Sequence, residues 1–321
     1  MCGRTGGRRG FNVTAIGVLC ARVRVEEKQI IASLANAGVV AMPVPPASTP
    51  LPPGPATADL AALGSRHLDG DVTEHHALGL VIDRCQNRHV AAATLPLMKL
   101  SGIEVIDAGL AATGTRLEIA TALGQAGVPR PRAFVALSEA SALEAASRLG
   151  YPATLLPQAP GSDATALLDH DTAEAVIEHR VVLGTHGEAI VLLQAGAPRT
   201  DQLGRHHVVG SEVIAVEGAL VDGAARDLAV AAASALSARS ITVDIAWIDG
   251  QLVVWDVTAV ADFRKATQIG TKSIGEALAD LARSSVSEPA AVHAEDVQIA
   301  IAQQGWEVEV RHGAIGVSLT A

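Results

Sequence analysis

Apolar residues recur with two different periods along the first third of the chain. Short unbroken apolar runs at 14–20 (TAIGVLC), 78–85 (LGLVIDRC) and 103–108 (IEVIDA) read as buried strands. Between them, EEKQIIASLANAG (26–38) and HVAAATLPLMKLSG (89–102) repeat apolar positions at helical spacing, the first ending on Gly38. Strands alternating with helices bury both faces of a sheet, so this region predicts a small parallel α/β lobe. The stretch 42–58 (MPVPPASTPLPPGPATA) is too rich in proline to continue either element and reads as a loop or extended connector.

After Gly114 the pattern changes. TRLEIATALGQAGVPRP (115–131) predicts a helix ended by Gly127 and Pro129, followed by a strand RAFVAL (132–137). SEASALEAASRLG (138–150) predicts a helix with Ser138 as N-cap and Gly150 as C-cap. A strand PATLL (152–156), a helix DTAEAVIEHRVVLG (171–184) opened by an Asp171/Glu174 capping box, and a strand AIVLLQ (189–194) come next. HHVVGSEVIAVEGALV (206–221) and ITVDIAWIDGQLVVWDVTA (241–259) are strand-rich, and Asp249-Gly250 in the second is a two-residue hairpin turn. Helix TKSIGEALADLARS (271–284) closes this part. The division expected is a disordered end at 1–13, an N-terminal α/β lobe at 14–112, a main domain at 113–286, and a short strand-rich appendix at 287–321.

Composition narrows the chemistry. A chain of 321 residues with 49% apolar residues can bury two or three cores. A formal charge of −10 argues against nucleic acid or an anionic membrane surface as partner, both of which call for clustered Lys and Arg. Three scattered cysteines, Cys2, Cys20 and Cys85, suit neither a disulfide framework nor a four-ligand zinc site, and fit a reducing cytoplasm. The adjacent pairs His75-His76 and His206-His207 point to opposite sides of a strand, which makes chelation by either pair an unfavourable reading. Trp247 and Trp255 read as packing residues.

The order of elements, together with ARVRVEEKQI (21–30), RCQNR (84–88), TGTRLEIATALGQAGVPRPRAFVALSEASALEAASRLGYP (113–152), AEAVIEHRVVLG (173–184) and VDIAWIDGQLVVWDVTAVADFR (243–264), resembles the ATP-grasp ligases. The similar branch is that of the lysine-biosynthesis carrier-protein ligase (LysX) and the ribosomal-protein glutamate ligase (RimK), and the likeness runs from about Thr14 to Arg283. It implies α/β and α+β architecture: a small N-terminal α/β lobe, a central lobe, and a C-terminal lobe with an antiparallel sheet. It further implies ATP and Mg²⁺ as cofactors, an acyl-phosphate intermediate attacked by an amine, and an amino acid or an acidic carrier protein as partner. A homo-oligomer is also expected by resemblance.

Phosphoryl transfer rests on positioning and charge neutralisation, and magnesium requires hard oxygen ligands. Carried over residue by residue, the first phosphate lysine falls on Arg116 and the second on Leu156; the hinge glutamate beside adenine falls on Leu193. The Gly-rich loop falls on APGSDATALL (159–168), with Asp163 in it; Arg205 keeps half of an Asp-x-Arg pair whose aspartate position is Leu203. The metal segment falls on 255–258, leaving Asp256, with Asp244 on the other arm of the same hairpin as a second metal candidate. A loop that carries a substrate-binding arginine pair in the family is absent between Glu217 and Ala225. Arg22, Arg24, Arg84 and Arg88 follow strand ends in the N-terminal lobe, where α/β sheets place ligands, and read either as a substrate surface or as solvated turns.

Three functions follow as expectations. The first is a ligase homologue that has lost catalysis and acts as a binding or regulatory protein beside an active paralogue, linked to amino-acid biosynthesis of the lysine or arginine type. The second is a working carboxylate–amine ligase using Arg116, Arg205, Asp244 and Asp256. The third is a small-molecule sensor built on the N-terminal arginines.

Overall fold

The computed structural model describes residues 14–46, 77–158, 160, 163–184, 190–286, 306–311 and 314–319. The expected disordered end at 1–13, most of the proline-rich stretch, His75-His76 and three residues of the loop at 159–168 lie outside the described residues. Along the chain come β1 (Thr14–Leu19), α1 (Val25–Asn36), β2 (Ala41–Val44), β3 (Ala77–Asp83), α2 (Arg88–Leu100), β4 (Glu104–Ile106) and α3 (Leu110–Thr113). Then follow α4 (Arg116–Gln125), β5 (Ala133–Ala136), α5 (Glu139–Leu149), β6 (Ala153–Leu156), β7 (Thr165–Leu167), α6 (His170–Leu183) and β8 (Val191–Ala195). The remainder is β9 (Gly204–Val209), β10 (Glu212–Gly218), α7 (Gly223–Ala235), β11 (Ser240–Ile248), β12 (Gln251–Thr258), β13 (Thr267–Gln268), α8 (Ile274–Ser285), β14 (Trp306–Arg311) and β15 (Ala314–Leu319).

Contacts divide the described residues into two compact units. The first comprises residues up to Gln86, Ala93–Ile106, and those from Leu278 on; the second comprises Asn87–Ala92 and Asp107–Ala277. In the first, β1, β2, β3 and β4 form a parallel sheet in the order β2-β1-β3-β4. Its apolar runs are buried because such a sheet is covered on both faces. β2 corrects the reading of the proline-rich stretch as wholly unstructured at its start. Pro43 is tolerated because β2 is an edge strand, where an N–H missing on the outer side breaks no ladder. β14 and β15 form an antiparallel hairpin.

The second unit carries two antiparallel sheets. One has the order β5-β8-β6-β7 and is covered by α5 and α6 through a core that includes Leu149, Leu155, Leu167, Ile177 and Leu193. Ser138 caps α5 by accepting from the backbone N–H of Ser141, as its position predicts. The start of α6 differs from expectation: Asp169 accepts from the N–H of Thr172, two residues earlier than the Asp171/Glu174 box. An aspartate in extended conformation just before the first turn wins because its carboxylate reaches the free N–H groups that a residue inside the helix cannot.

The other sheet has the order β12-β11-β9-β10-β13. Its β11–β12 hairpin turns on Asp249 and Gly250, both with positive φ (51° and 76°), the pairing that a two-residue turn between twisted strands requires. Helix α7 has no counterpart among the expected elements. Its buried face is Ala225, Ala229, Ala232 and Ala233, a helical repeat made of small side chains rather than large ones.

Candidate functional site

β6 and β8 alternate their side chains between two environments. Leu155 and Leu193 are cross-strand partners and both belong to the core under α5 and α6. Their neighbours Leu156, Leu192 and Gln194 point the other way and line a cavity of about 40 Å³. Leu193 therefore lies on the core face of β8 and not on its cavity face. The alternation assigns that face to Leu192 and Gln194, and Gln194 is a residue that sequence reasoning missed.

Arg116, Leu156 and Asp256, singled out separately in the sequence, meet at this same cavity, together with Arg130 and Trp255. α4 begins here because Thr115 and Glu118 form a capping box, which fixes the first-turn residue Arg116. The Arg116 guanidinium donates from Nη2 to Asp256 Oδ2 at 2.6 Å and from Nε to Oδ1 at 3.2 Å. Its Nη1 donates to the Pro157 carbonyl at 3.0 Å, and its backbone N–H donates to Gln158 O at 2.8 Å. Arg116 is 4% exposed, so this fork is shielded from water.

A second pair lies on the β9–β12 sheet. Arg205 donates from Nε to Asp244 Oδ1 at 2.9 Å and from Nη2 to Oδ2 at 3.1 Å. Strand register makes Glu217, Arg205, Asp244 and Asp256 successive cross-strand partners, so the four side chains form one row across β10, β9, β11 and β12. Asp244 holds Arg205 above its ordinary value. Burial pushes the Asp244 carboxyl upward, Arg205 pulls it down, and Asp256 and Glu217 add to the upward push.

Asp244 and Asp256, the expected cation pair, each meet a guanidinium in this structure. The two are opposite one another, but each carboxylate is engaged by its own guanidinium. Among the described residues no group of three or more His, Cys, Asp or Glu side chains is arranged to hold a metal ion. Nor do these residues, as arranged, fit a nucleotide with magnesium. A pocket for such a ligand measures some hundreds of Å³; here the cavity is about 40 Å³, Leu156 supplies no charge, and Arg116 is already paired.

The N-terminal arginines separate. Arg24 and Arg84 converge on Glu27, which is 0% exposed: Arg24 donates from Nε, Nη2 and its backbone N, and Arg84 Nε donates at 3.0 Å. Burial would raise the Glu27 carboxyl, but the hydrogen bonds from Arg24 and the charge of Arg84 hold it below its ordinary value. This is a buried ion-pair cluster, which corrects the reading of both residues as solvated turns. Arg22 is exposed, and Arg88 donates to the Ala112 carbonyl at 2.8 Å within the second unit. Cys20 and Cys85 are free and buried, and burial pushes the Cys20 thiol up to about 12. His206 and His207 are buried; Thr242 Oγ1 lies 3.0 Å from His207 Nδ1. Trp255 is half-buried beside the cavity, whereas Trp247 is exposed on the β11–β12 hairpin and does not belong to the core.

No family model matches the chain. Among solved structures, a RimK domain ATP-grasp protein from Sphaerobacter thermophilus is 25% identical with a TM-score of 0.65, over 83% of this chain and 98% of that one. The chain has the ATP-grasp fold. The ATP-grasp ligase PsnB, crystallised with a minimal precursor, Mg and ADP, is 20% identical with a TM-score of 0.58, over 84% of this chain and 97% of that one. D-alanine–D-alanine ligase from Bacillus anthracis is 13% identical with a TM-score of 0.55, over 90% and 96%. The mixed parallel and antiparallel sheets of the two units are those expected of an ATP-grasp protein. Among the described residues no helix is long and apolar enough to cross a membrane.

Proposed function

We propose that this ATP-grasp protein is a ligase homologue of the LysX/RimK-like branch that no longer performs ATP-dependent ligation and acts as a binding or regulatory protein. The observation that carries this reading is the Arg116–Asp256 fork inside a cavity of about 40 Å³. A guanidinium that already satisfies a carboxylate and a backbone carbonyl has few donors left for phosphate, and a buried phosphate without cationic partners costs several kcal/mol per charge. Leu156 and Leu192 complete an apolar wall where a polar ligand would have to be solvated by protein.

The link to amino-acid biosynthesis of the lysine or arginine type rests on the resemblance of ARVRVEEK and the LGYP segment to that branch. The partners that fit are an amino acid, an acidic carrier protein or an active paralogue, in a homo-oligomer in the cytoplasm. Titration calorimetry of the full chain with MgATP and a non-hydrolysable analogue tests the reading. Absence of binding at millimolar nucleotide is expected; micromolar affinity would instead favour a working carboxylate–amine ligase in which Arg116 swings to phosphate and Asp244 and Asp256 take up Mg²⁺.

A further inference from the structure

Three elements of the second unit meet at Arg116. Its backbone and side chain are bonded to Gln158 and Pro157, just past the end of β6, and its fork is bonded to Asp256 on β12. β6 and β12 belong to different sheets. Two further bonds run between the same regions: Gln194 of β8 donates from Nε2 to the Trp255 carbonyl at 3.2 Å, and the Val254 N–H donates to the Pro129 carbonyl at 2.9 Å. Of these ties only the Arg116 fork is charged on both sides, bidentate and largely out of water, which makes it the strongest of the set.

We propose that Arg116 is a built-in latch: its guanidinium holds the two sheets of this unit together, filling with the protein's own charge the place at Asp256 that a ligand-borne cation would take. The inference rests on the function proposed above and adds what replaces the ligand. The buried Arg116 guanidinium stands against the half-buried Asp256 carboxylate, with the exposed Arg130 at the cavity's edge, so the charge of Asp256 is already met from within the protein. The choice of arginine over lysine is part of the argument. A planar fork spans both oxygens of Asp256 while its third nitrogen holds Pro157 O; an ammonium is a single point and cannot make all three contacts in this geometry.

Hydrogen-exchange mass spectrometry of the full chain tests the latch, comparing wild type with Arg116→Met and Arg116→Lys, each with and without millimolar MgATP. The wild type is expected to protect 153–158 and 251–258 equally in both conditions. Both variants are expected to exchange faster in those two segments, on the order of tenfold, with the rest of the chain unchanged. Wild-type protection in Arg116→Met would overturn the latch, and wild-type protection in Arg116→Lys would overturn the requirement for the fork. Should Arg116→Met fail to fold, Asp256→Asn reads the same bond from the other side. Calorimetry on the wild type separates the two ideas: micromolar MgATP binding sinks the proposed function, whereas no binding with unchanged exchange in the variants sinks the latch alone.

Discussion

Asp244 and Asp256 stand directly opposite each other on β11 and β12, yet each turns its carboxylate to an arginine from elsewhere in the unit, Arg205 and Arg116. Two like charges as cross-strand neighbours are unfavourable, and the guanidiniums offset that repulsion. The row is closed on itself by these two salt bridges.

The Arg205–Asp244 pair gives the first expected outcome. Arg205→Met leaves a buried carboxylate next to Asp256 and Glu217 and should destabilise the fold by about 2 kcal/mol, discounted because Arg205 is partly exposed. Asp244→Asn removes the buried charge and should cost less. A urea-denaturation cycle on both singles and the double checks this, and equal, additive costs would contradict coupling.

A single lysine placed at 156 should not by itself create nucleotide binding. Leu156→Lys places an ammonium in an apolar cavity that already holds Arg116 and Arg130, so it should lower stability by about 2 kcal/mol and leave calorimetry with MgATP flat. Tight binding in that one variant would show that the cavity opens readily and that charge alone had been missing.

Glu27 is the hub of the N-terminal ion cluster. Glu27→Gln keeps the shape but removes the carboxylate charge that faces Arg84, whose guanidinium burial already pushes below its ordinary value, and about 3 kcal/mol of stability should be lost. Because the folded Glu27 carboxyl lies below its ordinary 4.5, its contribution is present above pH 4.5 and is lost as pH falls through the lower, folded value. The variant should therefore show a flatter acid limb in a series of urea midpoints.

His206 sets a second, milder acid step. Burial pushes its imidazole below 6.5; Gly204 and Val243 backbone bonds oppose this, Arg226 adds to it, and Asp222 opposes it. The unfolded chain thus binds a proton that the folded chain resists, and stability should decline as pH falls below about 6.5 while staying level above it. Nuclear magnetic resonance titration of the His206 ring, with urea midpoints from pH 8 to 5, checks this; a midpoint that does not change across that interval would contradict it.

Most elements are legible in the amino-acid sequence, for reasons visible residue by residue. Buried strands such as β1 and β3 are unbroken apolar runs, and α5 carries its own start and stop in Ser138 and Gly150. What escaped the pattern was weakly marked. The buried face of α7 is alanine, too small to stand out from its surroundings, and β2 contains a proline that only its edge position excuses. Which parity of β8 faces the cavity is not legible either, because a one-residue step along a strand exchanges core for cavity, and composition does not say which is which.

The amino-acid sequence by itself determined the α/β and α+β architecture, the hairpin at Asp249-Gly250, and the placing of an arginine at 116 and a leucine at 156, because periodicity, turn chemistry and residue type are local properties. Only the tertiary structure decided what those two side chains touch. Whether Arg116 reaches into an open cleft or closes on Asp256, 140 residues away, depends on how two sheets are set against one helix start, and long-range pairing of that kind is not written in any single segment.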